Sequence, residues 1–85
     1  MDTKDKVLIE LYIPSLKEHY DVFIPTGRKV YEVESLLSKM IEELSLNRYN
    51  NVESMLCYFD NGKIINRNLK IGDCDITNGT KLMLL

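Results

Sequence analysis

The chain has 85 residues, 45% of them hydrophobic and 28% charged, with a formal net charge of -2, the proportions of one globular domain with a single modest core. That balance argues against a dedicated nucleic-acid binder, which would show a basic face. No stretch approaches the ~20 apolar residues of a membrane-spanning helix, so no membrane insertion is expected.

The first residues, MDTKDK, are charged and lead into a strand-like run rather than a long apolar core. No secretory leader is expected, and the cytoplasm is the expected compartment. Met1 to Asp5 reads as a fraying polar lead. Lys6 to Ile13, KVLIELYI, suits a strand. Val7, Ile9, Leu11 and Ile13 share one parity, and Leu8, Glu10 and Tyr12 the other. Only the second set holds a charge, so the first should face the core. Pro14 to Glu18 is a turn with Leu16 in its middle. His19 to Pro25, HYDVFIP, alternates again, with Tyr20, Val22 and Ile24 inward. The short gap predicts a hairpin. His19 falls on the outward parity and has no acidic or nucleophilic companion in the sequence.

Pro25 closes the second strand, since it cannot donate to a ladder. Val30 to Leu46, VYEVESLLSKMIEELSL, then reads as the one long helix. At ~100° per residue, Val30, Val33, Leu36, Leu37, Met40, Ile41 and Leu44 fall in one arc of roughly 140°. Such a stripe has to be buried against a sheet. Val30, Val33, Leu37, Met40 and Leu44 are the expected core positions. The helix start lacks a Ser, Thr, Asp or Asn just before Val30. Asn47 is a plausible left-handed cap at the exit, and Asn50-Asn51 continue the break.

Asn47 to Glu53 is polar and loop-like. Ser54 to Asp60, SMLCYFD, reads as a third strand with apolar residues on both faces. Its outward set is either Phe59 and Cys57 or Tyr58 and Leu56. Asn61-Gly62 is a turn signal. Lys63 to Asn66 is a short edge strand or an extended piece. Leu69 to Asp75 is a compact loop with Ile71 tucked in. Asn78-Gly79 marks another turn, and Lys81 to Leu85 is the last strand, with Leu82 and Leu84 inward. A hairpin, a right-handed crossover helix and further strands place the first and last strands side by side in a mixed sheet. The expected fold class is α+β: a β-grasp over residues 1 to 85, one domain.

This spacing resembles ubiquitin. Val30, Val33 and Leu37 mark the helix, and residues 62 to 85, GKIINRNLKIGDCDITNGTKLMLL, are similar to ubiquitin's Gly-Lys, short apolar strand, turn, Ile and closing strand. The segment IGDCDITNGTKLMLL, residues 71 to 85, resembles the closing segment of the YukD/EsaB family, small ubiquitin-like proteins of Gram-positive type VII secretion loci. HYDVFIPTGRKV, residues 19 to 30, is similar to that family's second strand and helix start. The likeness covers almost the whole chain, as pattern more than identity. It implies a cytosolic accessory or regulatory component whose protein partners belong to a secretion apparatus.

No enzyme is expected. The sequence holds no Ser-His-Asp set, no paired-carboxylate motif and no Gly-rich phosphate loop. Asp73 and Asp75 flank Cys74, and carboxylates raise a thiol's pKa rather than activate it. Cys57 and Cys74 are expected to be free thiols. With His19 they fall short of a four-ligand metal set, so no metal or cofactor is expected. The chain ends Lys81-Leu82-Met83-Leu84-Leu85 without a diglycine tail, and conjugation is not expected of it.

A protein-binding module is the remaining class. The helix covers one face of such a sheet and leaves the other open. Met83 and Leu85 point to the open face by parity, beside Phe59 of the third strand and Leu16 of the hairpin tip. Leu16, Phe59, Met83 and Leu85 correspond to the open-face patch by which ubiquitin is recognised. They are the candidate docking residues, to be covered by a partner or by a second copy. Two alternatives stand beside this reading: the cytosolic ubiquitin-like domain of a larger secretion-channel membrane protein, and a nucleic-acid-binding regulator.

Overall fold

The computed structural model describes residues 5–49 and 53–85. Of the fraying lead expected over Met1 to Asp5, residues 1 to 4 lie outside the described residues, as does the Asn50-Asn51 break, while Asp5 O accepts the Thr26 amide at 2.9 Å. Strand β1 spans Lys6–Ile13 and β2 spans Glu18–Pro25, paired antiparallel from Lys6↔Pro25 to Ile13↔Glu18. Alternation sets their faces as expected: Val7, Ile9, Leu11 and Ile13 are all buried. The turn between them closes with Leu16 N donating to Ile13 O at 3.1 Å and with Lys17 in the left-handed region, φ 54°.

Helix α1 spans Val30–Leu44. Its start needs no Ser or Asp cap because the first amides are satisfied from elsewhere. Val30 N donates to Leu69 O at 2.9 Å and Tyr31 N to Arg67 O at 3.2 Å. Glu32 reaches back and accepts Lys29 N at 3.2 Å, the return arm of a capping box. The same contact and Arg28 hold the Glu32 carboxyl below its ordinary value. The helix stops two residues short of the expected Leu46. Leu46 and Asn47 both turn left-handed, and Asn47 N closes on Glu42 O at 2.8 Å.

Strand β3 spans Leu56–Tyr58 and β4 spans Lys81–Leu84, giving a four-stranded mixed sheet in the order β2-β1-β4-β3. β1 and β4 run parallel in the centre, and β3 pairs antiparallel with β4. The fold is the expected β-grasp, with α1 over one face of the sheet. Ile9, Leu11, Val33, Ile41, Leu82 and Leu84 lie at the centre of one continuous core. Ile71 is fully buried at the start of a short 3₁₀ turn, Ile71–Asp73.

Two further details depart from the sequence expectation. The helix buries Val30, Val33, Leu37 and Ile41, half-buries Met40, and leaves Leu36 and Leu44 55% and 56% exposed. Glu34 lies in the buried arc instead, so the stripe is rotated toward β3. The third strand is shorter than Ser54 to Asp60. Its pairing nonetheless runs on, because Met55 and Leu85 exchange both backbone bonds and Phe59 N donates to Lys81 O. Lys63 to Asn66 takes the extended form rather than a strand, touching β3 through the isolated Cys57↔Ile64 bridge.

Candidate protein-docking face

The face of the sheet away from α1 is built by register. Residues directly opposite on neighbouring strands point to the same side. His19 lies opposite Tyr12, Tyr12 opposite Met83, and Met83 opposite Cys57. Cys57 is bridged in turn to Ile64. One row therefore crosses the whole sheet: His19, Tyr12, Met83, Cys57, Ile64. The third strand's outward set is thus Cys57 and Phe59, with Leu56 and Tyr58 turned to the core side.

Ring contacts gather at one end of the row. The Tyr12 and His19 rings lie 4.5 Å apart, tilted, and Tyr12 meets the edge of Phe59 at 5.8 Å. Such ring pairs add to what their area alone contributes. Cys57 is outward by parity yet fully buried beneath its neighbours. Burial pushes its thiol up, and the Glu34 charge pushes it further. A second row, Asp21, Glu10, Lys81 and Phe59, runs beside the first, with Lys81 Nζ 3.8 Å from Glu10 Oε2. On the other side, Leu85 and Met55 face one another across the ladder. The result is an apolar band with a charged border along one side.

The structure brings three of the four expected docking residues together. Phe59 is 40% exposed, Leu85 42% exposed, and Met83 half-buried between Tyr12 and Cys57. Leu16 lies at the hairpin tip, half-buried and packed against the core. Ile64 and Met55, exposed on the same face, were not singled out from the sequence. Ile64 was hidden because the path of residues 63 to 66 is set by backbone bonds to β3, which no local pattern announces.

Among the described residues no group of three or more His, Cys, Asp or Glu side chains gathers as a metal site would require. Among the described residues no helix is long and apolar enough to cross a membrane. Cys74 Sγ donates to Lys70 O at 3.3 Å. Its thiol is raised by burial first, then by Asp73 and Asp75, the opposite of an activated nucleophile.

No family model matches the sequence, and no curated protein matches it. Solved structures do match. The EccD5 ubiquitin-like domain from Mycobacterium xenopi superposes with a TM-score of 0.70 at 15% identity, over 94% of this chain and 92% of that one. The ubiquitin-like domain of Plasmodium falciparum Dsk2 gives a TM-score of 0.69 at 12% identity, over 93% and 95%. The fold is ubiquitin-like. A chain of the MycP5-free ESX-5 inner membrane complex gives a TM-score of 0.72 at 13% identity over 95% of this chain, which spans only 21% of that chain's length. At such identities the likeness carries the fold alone.

Proposed function

We propose that this ubiquitin-like domain binds protein partners through the open face of its sheet, as an accessory or regulatory component of a type VII secretion system. The observation that supports the docking face is the apolar row Tyr12–Met83–Cys57–Ile64, with Phe59, Leu85 and Met55 exposed around it. A band of this kind on a sheet face is a surface that association would cover. Phe59, Met83 and Leu85 are the proposed contact residues. Leu16 acts behind them, holding the hairpin tip to the core.

The secretion context draws on two likenesses: residues 71 to 85 to the YukD/EsaB closing segment, and the fold to an EccD5 ubiquitin-like domain. A second reading, a ubiquitin-like domain within a larger secretion-channel membrane protein, is favoured by the match to one fifth of an ESX-5 complex chain. The test is co-purification of the wild-type chain with the products of its neighbouring genes. A secretion component should come down with wild type and be lost with Met83→Asp. Retention of the same partner by a folded Met83→Asp protein would remove the open face as the docking site.

A further inference from the structure

The chain contains two Asn-Gly pairs, Asn61-Gly62 and Asn78-Gly79. This dipeptide is open to attack by its own backbone. Glycine has no side chain to keep its nitrogen away from the asparagine amide carbon. Both pairs lie in exposed turns, and both glycines are left-handed, with φ 70° and 90°. Exposure does not separate them. What holds each pair does.

Asn78-Gly79 is held from outside its turn. Leu8 N donates to Asn78 Oδ1 at 2.8 Å, and Gly79 N donates to Leu8 O at 2.8 Å. The side-chain carbonyl and the glycine amide are thus both fixed to one residue of β1, an inner strand of the sheet. The turn is closed again by Thr77 N to Thr80 Oγ1 at 2.9 Å and Thr80 N to Thr77 O at 3.0 Å.

Asn61-Gly62 is held by bonds within its own turn. Gly62 N donates to Tyr58 O at 2.9 Å, and Lys63 N donates to Asn61 Oδ1 at 2.9 Å. Both close inside residues 58 to 63. The adjoining β3 is three residues long, and residues 59 to 64 are all exposed. Bonds of an exposed turn open by local fluctuation, whereas bonds to an inner strand open at a cost near that of global unfolding.

We propose that Asn61-Gly62 is a site of spontaneous deamidation in the folded protein, and that β1 locks Asn78-Gly79 against the same reaction. Gly62 N, having lost its proton to solvent base, attacks the side-chain amide carbon of Asn61. A new C–N bond closes a succinimide ring. The bond to the side-chain nitrogen breaks, and that nitrogen leaves as ammonia with a proton from water. Water then opens the ring at one of its two carbonyls, giving aspartate or isoaspartate. One amide and one water become one carboxyl group and one ammonia, without oxidant, metal or enzyme.

Isoaspartate routes the main chain through the former side chain and adds a methylene to the turn. The turn then loses the spacing that its two bonds need. It is this turn that returns the chain to β3, through Tyr58 N to Lys63 O and Ile65 N to Leu56 O, each at 3.0 Å. The change is one-way and falls at the Ile64 end of the open face. It goes beyond the docking read there and does not depend on it.

The test incubates the native full chain in mildly alkaline buffer beside a urea-unfolded sample. Trypsin puts the two pairs on different peptides, residues 49–63 and 71–81, and fragment masses distinguish Asn61 from Asn50 and Asn51. In the native chain Asn61 should convert at least ~10-fold faster than Asn78. In urea the two should convert at similar rates. The isoaspartate fraction should exchange its Tyr58 and Ile65 amides faster than Asn61→Asp does, because that variant keeps both the main-chain length and an acceptor for Lys63 N. Equal native rates at the two sites would overturn the proposal, as would an Asn61 that stays intact in the native chain while the unfolded chain is consumed. A rate ratio in urea as large as the native one would assign the difference to sequence rather than to the β1 lock, and would overturn it too. So would unchanged Tyr58 and Ile65 exchange in the isoaspartate fraction.

Discussion

Glu34 accepts the Leu56 amide at 2.8 Å and so ties the middle of the helix to the edge of the sheet. Its other carboxylate oxygen takes Arg67 Nε at 2.8 Å, with the Glu34 side chain 3% exposed and that of Arg67 58% exposed. A carboxylate that has lost its water needs such partners. One side chain thereby joins α1, β3 and the segment that also supplies carbonyls to the helix start. Glu34→Ala should cost about 2 to 4 kcal/mol, most of it from the stranded Leu56 amide and the cavity. Arg67→Ala should cost less, roughly 1 to 2 kcal/mol, because Arg67 is half in solvent and its removal leaves the amide bond in place. Denaturant unfolding of both variants checks the order. An Arg67→Ala loss equal to that of Glu34→Ala would show that the ion pair, not the amide bond, holds the carboxylate.

The helix–sheet contact itself is tested at Val33, which is 1% exposed. Val33→Asp buries a carboxylate with no partner and should cost on the order of 3 to 5 kcal/mol. Leu36→Ser and Leu44→Ser, at exposed sites of the same helix, should stay within about 1 kcal/mol of wild type. Equal losses at all three positions would mean that the helix is rotated from the orientation described.

These helix positions also show what a sequence can and cannot announce. β1 is legible because its alternation has period two and only one parity holds a charge. The inward and outward sides of β4 follow for the same reason. The helix is legible as an element, but its buried arc is shifted. A wheel ranks Leu36 and Leu44 above Glu34 by hydrophobicity, whereas Glu34 is buried because Leu56 and Arg67, distant in sequence, satisfy it. Tyr49 is hidden in the same way. It sits in a polar loop and is 3% exposed, with its hydroxyl bonded to Ser54 Oγ at 2.7 Å and Leu85 O at 3.1 Å. Among the proposed docking residues, the outward positions of Met83 and Leu85 are readable from parity alone. Leu16 is not, because a turn residue has no periodicity to orient it.

The two thiols should differ in access but share a direction. Both are raised by burial, so both hold less thiolate at neutral pH than a free cysteine. Cys74 is half-buried and Cys57 buried. Alkylation of the native protein at pH 7 should be slow at Cys74 and slower at Cys57, and denaturation should make the two equal. A raised acid holds its proton more tightly in the folded state. Its contribution to stability is therefore complete below the unfolded thiol pKa and lost as pH rises through the folded value. Replacing Cys57 by Ala should flatten the alkaline fall in stability. Rapid labelling of Cys57 in the native state would contradict its burial within the Met83 row. Intact mass with and without denaturant also reports whether either sulfur is bridged or metal-bound.

Met83→Asp tests the open face, and its position sets the size of the effect. Met83 is not free surface: it is half-buried, with Tyr12 on one side and Cys57 on the other. An aspartate there gives up the buried part of the methionine side chain and places a charge in the apolar row. The stability loss should be about 1 to 2 kcal/mol, more than a surface change and less than a core one. Ile64→Asp stands at the end of the same row and is 57% exposed. It should cost within about 0.5 kcal/mol. If the row docks a partner, both variants should weaken binding, by on the order of 1 to 3 kcal/mol where the residue is a hot spot. The pair therefore separates folding from recognition: Ile64→Asp should lose the partner while keeping its thermal midpoint. A stable Ile64→Asp chain that still co-purifies at wild-type levels would confine the contact to Phe59, Met83 and Leu85. Collapse of the Met83→Asp chain by 4 kcal/mol or more would place Met83 in the core and reverse the register assigned to β4.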